Sequence, residues 1–232
     1  MIELTGYKDK HEYINKHGVK SVVYLMDCMD AMAQMGDKEF GLAVVDPPYG
    51  IGANKMTLGN GKRKLNRGAL DWDKNAPDPD YFDRLKTVSL NQIIWGANHF
   101  LDNIPFLLNS SCWIIWDKGT GDNDYADAEI AWTSYSSVIK KFHKSWVVAN
   151  AKERNEVDRM HPTQKPVALY DWIFHNYAKE GDTIFDSHLG SGSSRIAADK
   201  HNLPFTGIEL DSDYFYAHCK RFDNYTKQLT LF

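Results

Sequence analysis

Cysteine is scarce in this sequence: of 232 residues only Cys28, Cys112 and Cys219 are cysteine, and no two form a C-x-x-C pair. A disulfide framework or a zinc site is therefore not expected, and free thiols suit a reducing, cytoplasmic location. No apolar run is long enough to cross a bilayer, and the opening "MIELTGYKDK" lacks the layout of a secretory signal, so no membrane partner is expected. Excess positive charge is missing as well. With a formal net charge of −4, contact with nucleic acid would have to rely on a local basic patch. Internal repeats, low-complexity tracts and a G-K-[ST] phosphate loop are also absent.

What remains is a chain that is 43% hydrophobic and 25% charged, enough for one domain with a substantial core. "SVVYLMD" and "GLAVVD" read as short buried strands flanking a helix, "CMDAMAQMG", closed by Gly36. A helix around "PDYFDRLKTVS" leads to strands "QIIWG" and "CWIIWDK". Alternating, aromatic-rich runs from Glu129 to Val148 predict antiparallel strands. "KPVALYDWIFHNYAK" reads as a helix with Pro166 in its first turn, and the chain ends strand, helix, strand, helix from "DTIFD" onward. Strands alternating with helices predict an α/β fold, a mostly parallel sheet covered on both faces.

In "DTIFDSHLGSGSSRIAADK" a strand ends at Asp186, turns through Gly190, Ser191 and Gly192, and enters a helix. Bare glycines allow close approach of backbone to ligand. Glu209 closes the next strand, where a carboxylate can accept both hydroxyls of a ribose. Arg195 stands where a dinucleotide fingerprint has its third glycine, which points to an adenosine ligand without a pyrophosphate. A plain strand-turn-helix connection would use the same glycines.

"DPPYG", Asp46 to Gly50, follows the strand "GLAVV". Together with the glycine loop it resembles the DNA amino-methyltransferases, whose catalytic motif is D/N/S-P-P-Y/F. "FDSHLGSGSS" is similar to their cofactor loop, "FTGIELDSDYF" to their ribose-binding strand, "HPTQKP" to the segment that wraps the methionine end of the cofactor, and "LMDCMDAM" to their Asp-Cys lead-in. The order of these motifs is that of the permuted β group. The resemblance implies a circularly permuted, Rossmann-like fold that uses S-adenosylmethionine. It also implies DNA methylation of the kind found in restriction–modification, on a base flipped out of the duplex. Asp27, Asp186, Gly190, Ser191, Gly192, Glu209, Thr163 and Lys165 would bind cofactor, Lys165 at its carboxylate and Asp27 at its adenine amino group. A helix N-terminal carboxylate is the other reading of Asp27. One departure is "DSHLGSG", where the family has D-P-F or D-P-x before its Gly-Ser-Gly, which bears on cofactor affinity.

The chemistry accounts for the corner. An exocyclic amino group must pyramidalise to aim its lone pair at a sulfonium methyl, and acceptors on both of its hydrogens favour that. Asp46 offers a carboxylate and Pro47 a carbonyl, Pro47 and Pro48 hold the turn stiff, and the Tyr49 ring gives the extracted base a face to stack on. Lys55, Lys62, Arg63, Lys64 and Arg67 follow directly and form the expected DNA-backbone patch. The expectation is a single methyltransferase domain, with a catalytic half over residues 20–150, a cofactor half over 160–232 and a short recognition segment near 136–160. It would be a DNA adenine-N6 methyltransferase of site-specific or relaxed specificity. Cytosine-N4 methylation is the alternative, and a catalytically silent DNA-binding subunit the alternative of another class. Monomer and homodimer both stay open.

Overall fold

The computed structural model describes residues 2–51, 73, 75–101, 104, 106, 110–120, 126–144 and 164–229. Nine strands among these residues form one sheet. They are β1 (Asp9–Ile14), β2 (Lys20–Leu25), β3 (Phe40–Val45), β4 (Ser89–Trp95), β5 (Trp113–Asp117), β6 (Ala128–Thr133), β7 (Lys140–His143), β8 (Ile184–Asp186) and β9 (Phe205–Glu209). The helices are α1 (Cys28–Met32), α2 (Pro79–Val88), α3 (Val167–Tyr177), α4 (Ser193–Lys200) and α5 (Ser212–Leu229).

Strand order is β1-β2-β9-β8-β3-β4-β6-β5-β7. The block β2-β9-β8-β3-β4 is parallel, while β1 runs against β2 and β6 runs against both β4 and β5. Alternation along the central strands sorts side chains onto two cores. Val23, Leu25, Leu42 and Val44 pack with Leu169, Ile173, Ile196 and Phe222 of α3, α4 and α5. Val22, Tyr24, Ala43 and Val45 face the other way, onto Met32, Phe82 and Leu85 of α1 and α2. This matches the predicted sheet covered on both faces.

Four details differ from the sequence reading. β1 was not foreseen: its residues "DKHEYI" are mostly half-buried at the sheet edge, which weakens the hydrophobic pattern. The first helix stops at Met32 rather than Gly36. Pro166 is the cap before α3, its extended backbone (φ −71°, ψ 147°) standing outside the first turn. β7 pairs parallel to β5, so it does not continue the antiparallel run.

Arg195, the residue in place of a third glycine, is a buried strut. Its guanidinium donates to Ser21 Oγ (2.7 Å), His11 Nδ1 (3.0 Å) and His218 Nε2 (3.2 Å), and lies 3.9 Å from the Phe222 ring centre. One side chain thus ties α4 to β1, β2 and α5. Burial and the neighbouring guanidinium keep His218 neutral, far below the usual imidazole range.

Candidate active site

The chain leaves β8 toward β9 and leaves β3 toward β4, so its two directions part between β8 and β3. Open α/β sheets bind ligands in the crevice at the carboxyl ends of such strands. A cavity of about 500 Å³ lies there, and its wall includes Asp27 after β2, Glu209 ending β9, Gly190 after β8 and Asp46 after β3. Among the described residues, five carboxylates (Asp27, Asp46, Asp73, Glu209, Asp211) and one lysine, Lys165, line it. That balance suits a cationic ligand and opposes a pyrophosphate.

The corner after β3 is held from several sides. The Asp73 carboxylate accepts the amides of Tyr49 (2.7 Å) and Gly50 (2.9 Å), the first donors available after two prolines. The Tyr49 hydroxyl donates to Asp46 Oδ1 at 2.7 Å, and its ring stacks on His99 at 4.9 Å and 16°. Gly96 makes this packing possible: its φ is +67°, and an added Cβ would sit 2.1 Å from Tyr49 Cε1. Lys165, almost fully buried, faces two carboxylates of the chain itself, Asp46 Oδ2 at 2.5 Å and Glu129 Oε2 at 3.0 Å. Lys118 pairs with the other oxygen of Glu129. Burial disfavours the charged forms, yet the mutual attraction holds the Lys165 ammonium above its ordinary range and Glu129 below the carboxylate range.

Across the cavity, Glu209 accepts Gly190 N–H (2.8 Å) on one oxygen and Asp211 N–H (2.9 Å) on the other. Each oxygen keeps a spare acceptor site, so two ligand hydroxyls fit without displacing a protein contact. Burial pushes the Glu209 carboxyl up to about 7. Ser191 is also on the wall, its carbonyl fixed by Arg221 at 2.9 Å. Asp27 caps α1, accepting Met29 N–H at 2.7 Å, as the helix N-terminal reading has it, and it also lines the cavity.

Asp186 and Gly192 are not brought to the wall. Asp186 is buried behind the loop, accepting from Ser194 Oγ (2.6 Å) and His188 N–H (3.1 Å). Gly192, φ +73°, leaves room for α5, since a Cβ there would meet His218 Cδ2 at 2.2 Å. Thr163 and the patch Lys55, Lys62, Arg63, Lys64 and Arg67 lie outside the described residues.

The departure at "DSHLGSG" has a physical counterpart. Ser187 Oγ lies 2.6 Å from the Tyr81 hydroxyl and 2.9 Å from His188 Nδ1, so a polar network from α2 fastens the loop where a proline would otherwise stiffen it. Burial lowers His188 to about 4, leaving a neutral ring on the cavity wall. The sequence reading missed Asp73, Glu129, Tyr81 and Gln164. Asp73, Glu129 and Tyr81 each lie far along the chain from the motif they support. Gln164 alone was signalled, inside "HPTQKP"; its Oε1 is a buried acceptor without a partner on the wall of the cavity.

A family model described as DNA methylase, N6_N4_Mtase, matches residues 88–220. The chain belongs to this family. The match begins after the corner at Asp46 and takes in the glycine loop and Glu209. A Type II methyltransferase, M2.MboI of Moraxella bovis, is 22% identical over 245 residues, covering 89% of each chain. Among solved structures, the M1.HpyAVI–SAM complex superposes with a TM-score of 0.53 at 18% identity, over 86% of this chain and 98% of that one. The cytosine-N4-specific PvuII DNA methyltransferase gives 0.53 at 14% identity, over 86% and 85%. These likenesses show the fold: an α/β, mostly parallel sheet with antiparallel pairs, shared with S-adenosylmethionine-dependent DNA methyltransferases. Among the described residues no helix is long and apolar enough to cross a membrane.

Proposed function

We propose that this protein methylates N6 of adenine in DNA, with S-adenosylmethionine as the methyl donor. The observation that carries the reading is that the Asp46 and Glu209 carboxylates line one cavity; in this reading the first accepts from the target amine and the second from the ribose hydroxyls. S-adenosylmethionine supplies a methyl activated by a sulfonium. The residues present fit it: spare acceptor sites on Glu209, a bare Gly190 at φ +52°, and an acidic wall for a cation. Asp46 and the Pro47 carbonyl take the two amino hydrogens, which helps the nitrogen pyramidalise, and Asp46 is placed to receive the proton that the methylated nitrogen sheds. The D-P-P-Y spelling leans to adenine within the family. Cytosine-N4 methylation is the second reading, because the same corner serves either amino group and the PvuII neighbour is cytosine-N4-specific. Incubating DNA with methyl-labelled S-adenosylmethionine, then digesting it to nucleosides, tests both. Label in N6-methyladenine supports the proposal, label in N4-methylcytosine the second reading, and no label in DNA overturns both.

Two further outcomes follow from the geometry. Hydroxyls donating to Glu209 stabilise its charged form and so pull its pKa below the free-state value of about 7. Cofactor affinity should therefore rise as pH increases through 7, with proton release on binding. Calorimetry in two buffers of different ionisation enthalpy reads this directly. Glu209→Gln should bind about 10–100-fold more weakly and lose the pH dependence, since a hydrogen bond to a charged group is worth roughly 1.5–3 kcal/mol. A variant that binds like the parent would make Glu209 structural.

Tyr49→Phe keeps the ring but removes the hydroxyl that grips Asp46 Oδ1. With the hydroxyl engaged, a loss of about 10-fold in rate is expected. Tyr49→Ala should lose more, because stacking of a base on an aromatic ring adds about 1–3 kcal/mol. Single-turnover kinetics separate the two, and equal losses would remove the ring from the account.

A further inference from the structure

Glu129 is not on the cavity wall, yet it is joined to Asp46 through a run of alternating charge. Lys118, just after β5, pairs with Glu129 Oε1; Glu129 Oε2 faces Lys165 Nζ; Lys165 Nζ meets Asp46 Oδ2. Two ammoniums thus balance two carboxylates. Glu129 sits on β6 in register with Trp116 of β5, so the sheet fixes its backbone. Its Oε2 is buried and has the ion-pair contact with Lys165 but no hydrogen bond, so Lys165 is what that oxygen serves.

The geometry matters because the last torsion of an aspartate is broad, and rotamer preference alone leaves the carboxylate plane loose. Here the plane is gripped at both ends, by the Tyr49 hydroxyl on Oδ1 and by Lys165 on Oδ2. Lys165 has a long flexible stem, and Asp46 by itself does not say from which side the ammonium approaches. Glu129 supplies the second anchor, 3.0 Å from Nζ, and the Trp95 ring centre lies 5.2 Å from it.

We propose that Glu129 is a positioning residue of the methyl-transfer site: through Lys165 it fixes the plane in which the Asp46 carboxylate meets the target amine. This rests on the reading of the site as a DNA methyltransferase. Pre-organisation of this kind acts on rate rather than on cofactor affinity, because the oriented group engages the developing charge of the transition state.

Lys165 is also the group whose titration reports the arrangement. Facing it or its partners are Asp46 and Tyr49 after β3, Glu129 on β6, Lys118 after β5, Asp186 ending β8 and Tyr170 on α3. Burial works to discharge the ammonium, and Asp46 and Glu129 oppose it. With Glu129 neutralised, only Asp46 of the pair remains, and Lys165 sheds its proton at lower pH than in the parent.

The test is single-turnover methyl transfer to DNA, alongside S-adenosylmethionine affinity, for the parent and Glu129→Gln across neutral to alkaline pH. The glutamine variant should be about 10–100-fold slower at neutral pH, with affinity within about threefold, as expected when a catalytic group is slightly misplaced. Its rate should also fall on the alkaline side where the parent's does not. Glu129→Asp, which keeps the charge on a shorter arm, should restore the alkaline profile while staying slower than the parent. A glutamine variant with the parental rate overturns the proposal. So does a slower one with an unchanged pH profile, which would make Glu129 structural. No transfer by the parent overturns the functional reading and this proposal together; an active parent matched by its variant overturns the positioning role alone.

Discussion

Asp46→Ala is expected to slow methyl transfer about 100–1000-fold while leaving cofactor affinity within a few-fold, the usual cost of removing one transition-state contact. The selectivity follows from position. Glu209 and Gly190 hold their end of the cavity through contacts of their own, independent of Asp46. The change should also be tolerated by the fold, because Lys165 keeps Glu129 as a partner and no buried ammonium is stranded. Rapid-quench single turnovers together with calorimetry check both halves. Near-parental turnover would remove Asp46 from the chemistry. An equal loss of cofactor affinity would mean that the corner serves binding rather than reaction.

Lys165→Met should give the largest loss of stability. The side chain is 2% exposed and neutralises two carboxylates, which would be left facing each other's field. Breaking a buried pair by removing one partner costs roughly 3–5 kcal/mol. Lys118 stays on Glu129 and the Tyr49 hydroxyl on Asp46, so the lower end of that range applies. The pH dependence has a definite sign. Glu129 is held below its usual range, so its contribution is present above the unfolded value near about 4.3 and is lost as pH falls through the folded one. Lys165 is held above its range, so its contribution is present below the unfolded value near about 10.4 and is lost as pH rises through the folded one. The gap between parent and variant should therefore be widest between about pH 5 and 10 and shrink in acid. Denaturant unfolding at neutral pH and in acid measures it. A variant as stable as the parent at neutral pH would show that the cluster contributes nothing net.

How far the sequence alone could lead is clear from particular residues. β2, β3, β8 and β9 were legible because their apolar runs are buried on both faces and bounded by turn residues. Glu209 and Gly190 were legible because a strand end and a glycine turn constrain residue type locally, and the structure sets them 2.8 Å apart. Asp46 was legible because two prolines between a carboxylate and an aromatic ring have no common structural excuse. Glu129 and Asp73 were not, since each acts on a partner dozens of residues away and no local pattern marks a lone carboxylate as a clamp. Lys165 was picked out in a motif, but its partners, Asp46 and Glu129, come from segments far along the chain. Asp186 and Gly192 stand at recognisable positions of the loop, yet one fastens Ser194 and the other makes room for His218, roles that tertiary contact alone reveals.

The central claim is that one cavity binds the methyl donor at Glu209 and presents it to Asp46. Diffraction from the protein crystallised with S-adenosylmethionine tests it most directly. The account predicts ribose hydroxyls on the Glu209 carboxylate and the sulfonium methyl directed toward the corner formed by Asp46 and Pro47. A ligand whose ribose lies away from Glu209, or whose methyl points away from Asp46, would contradict it.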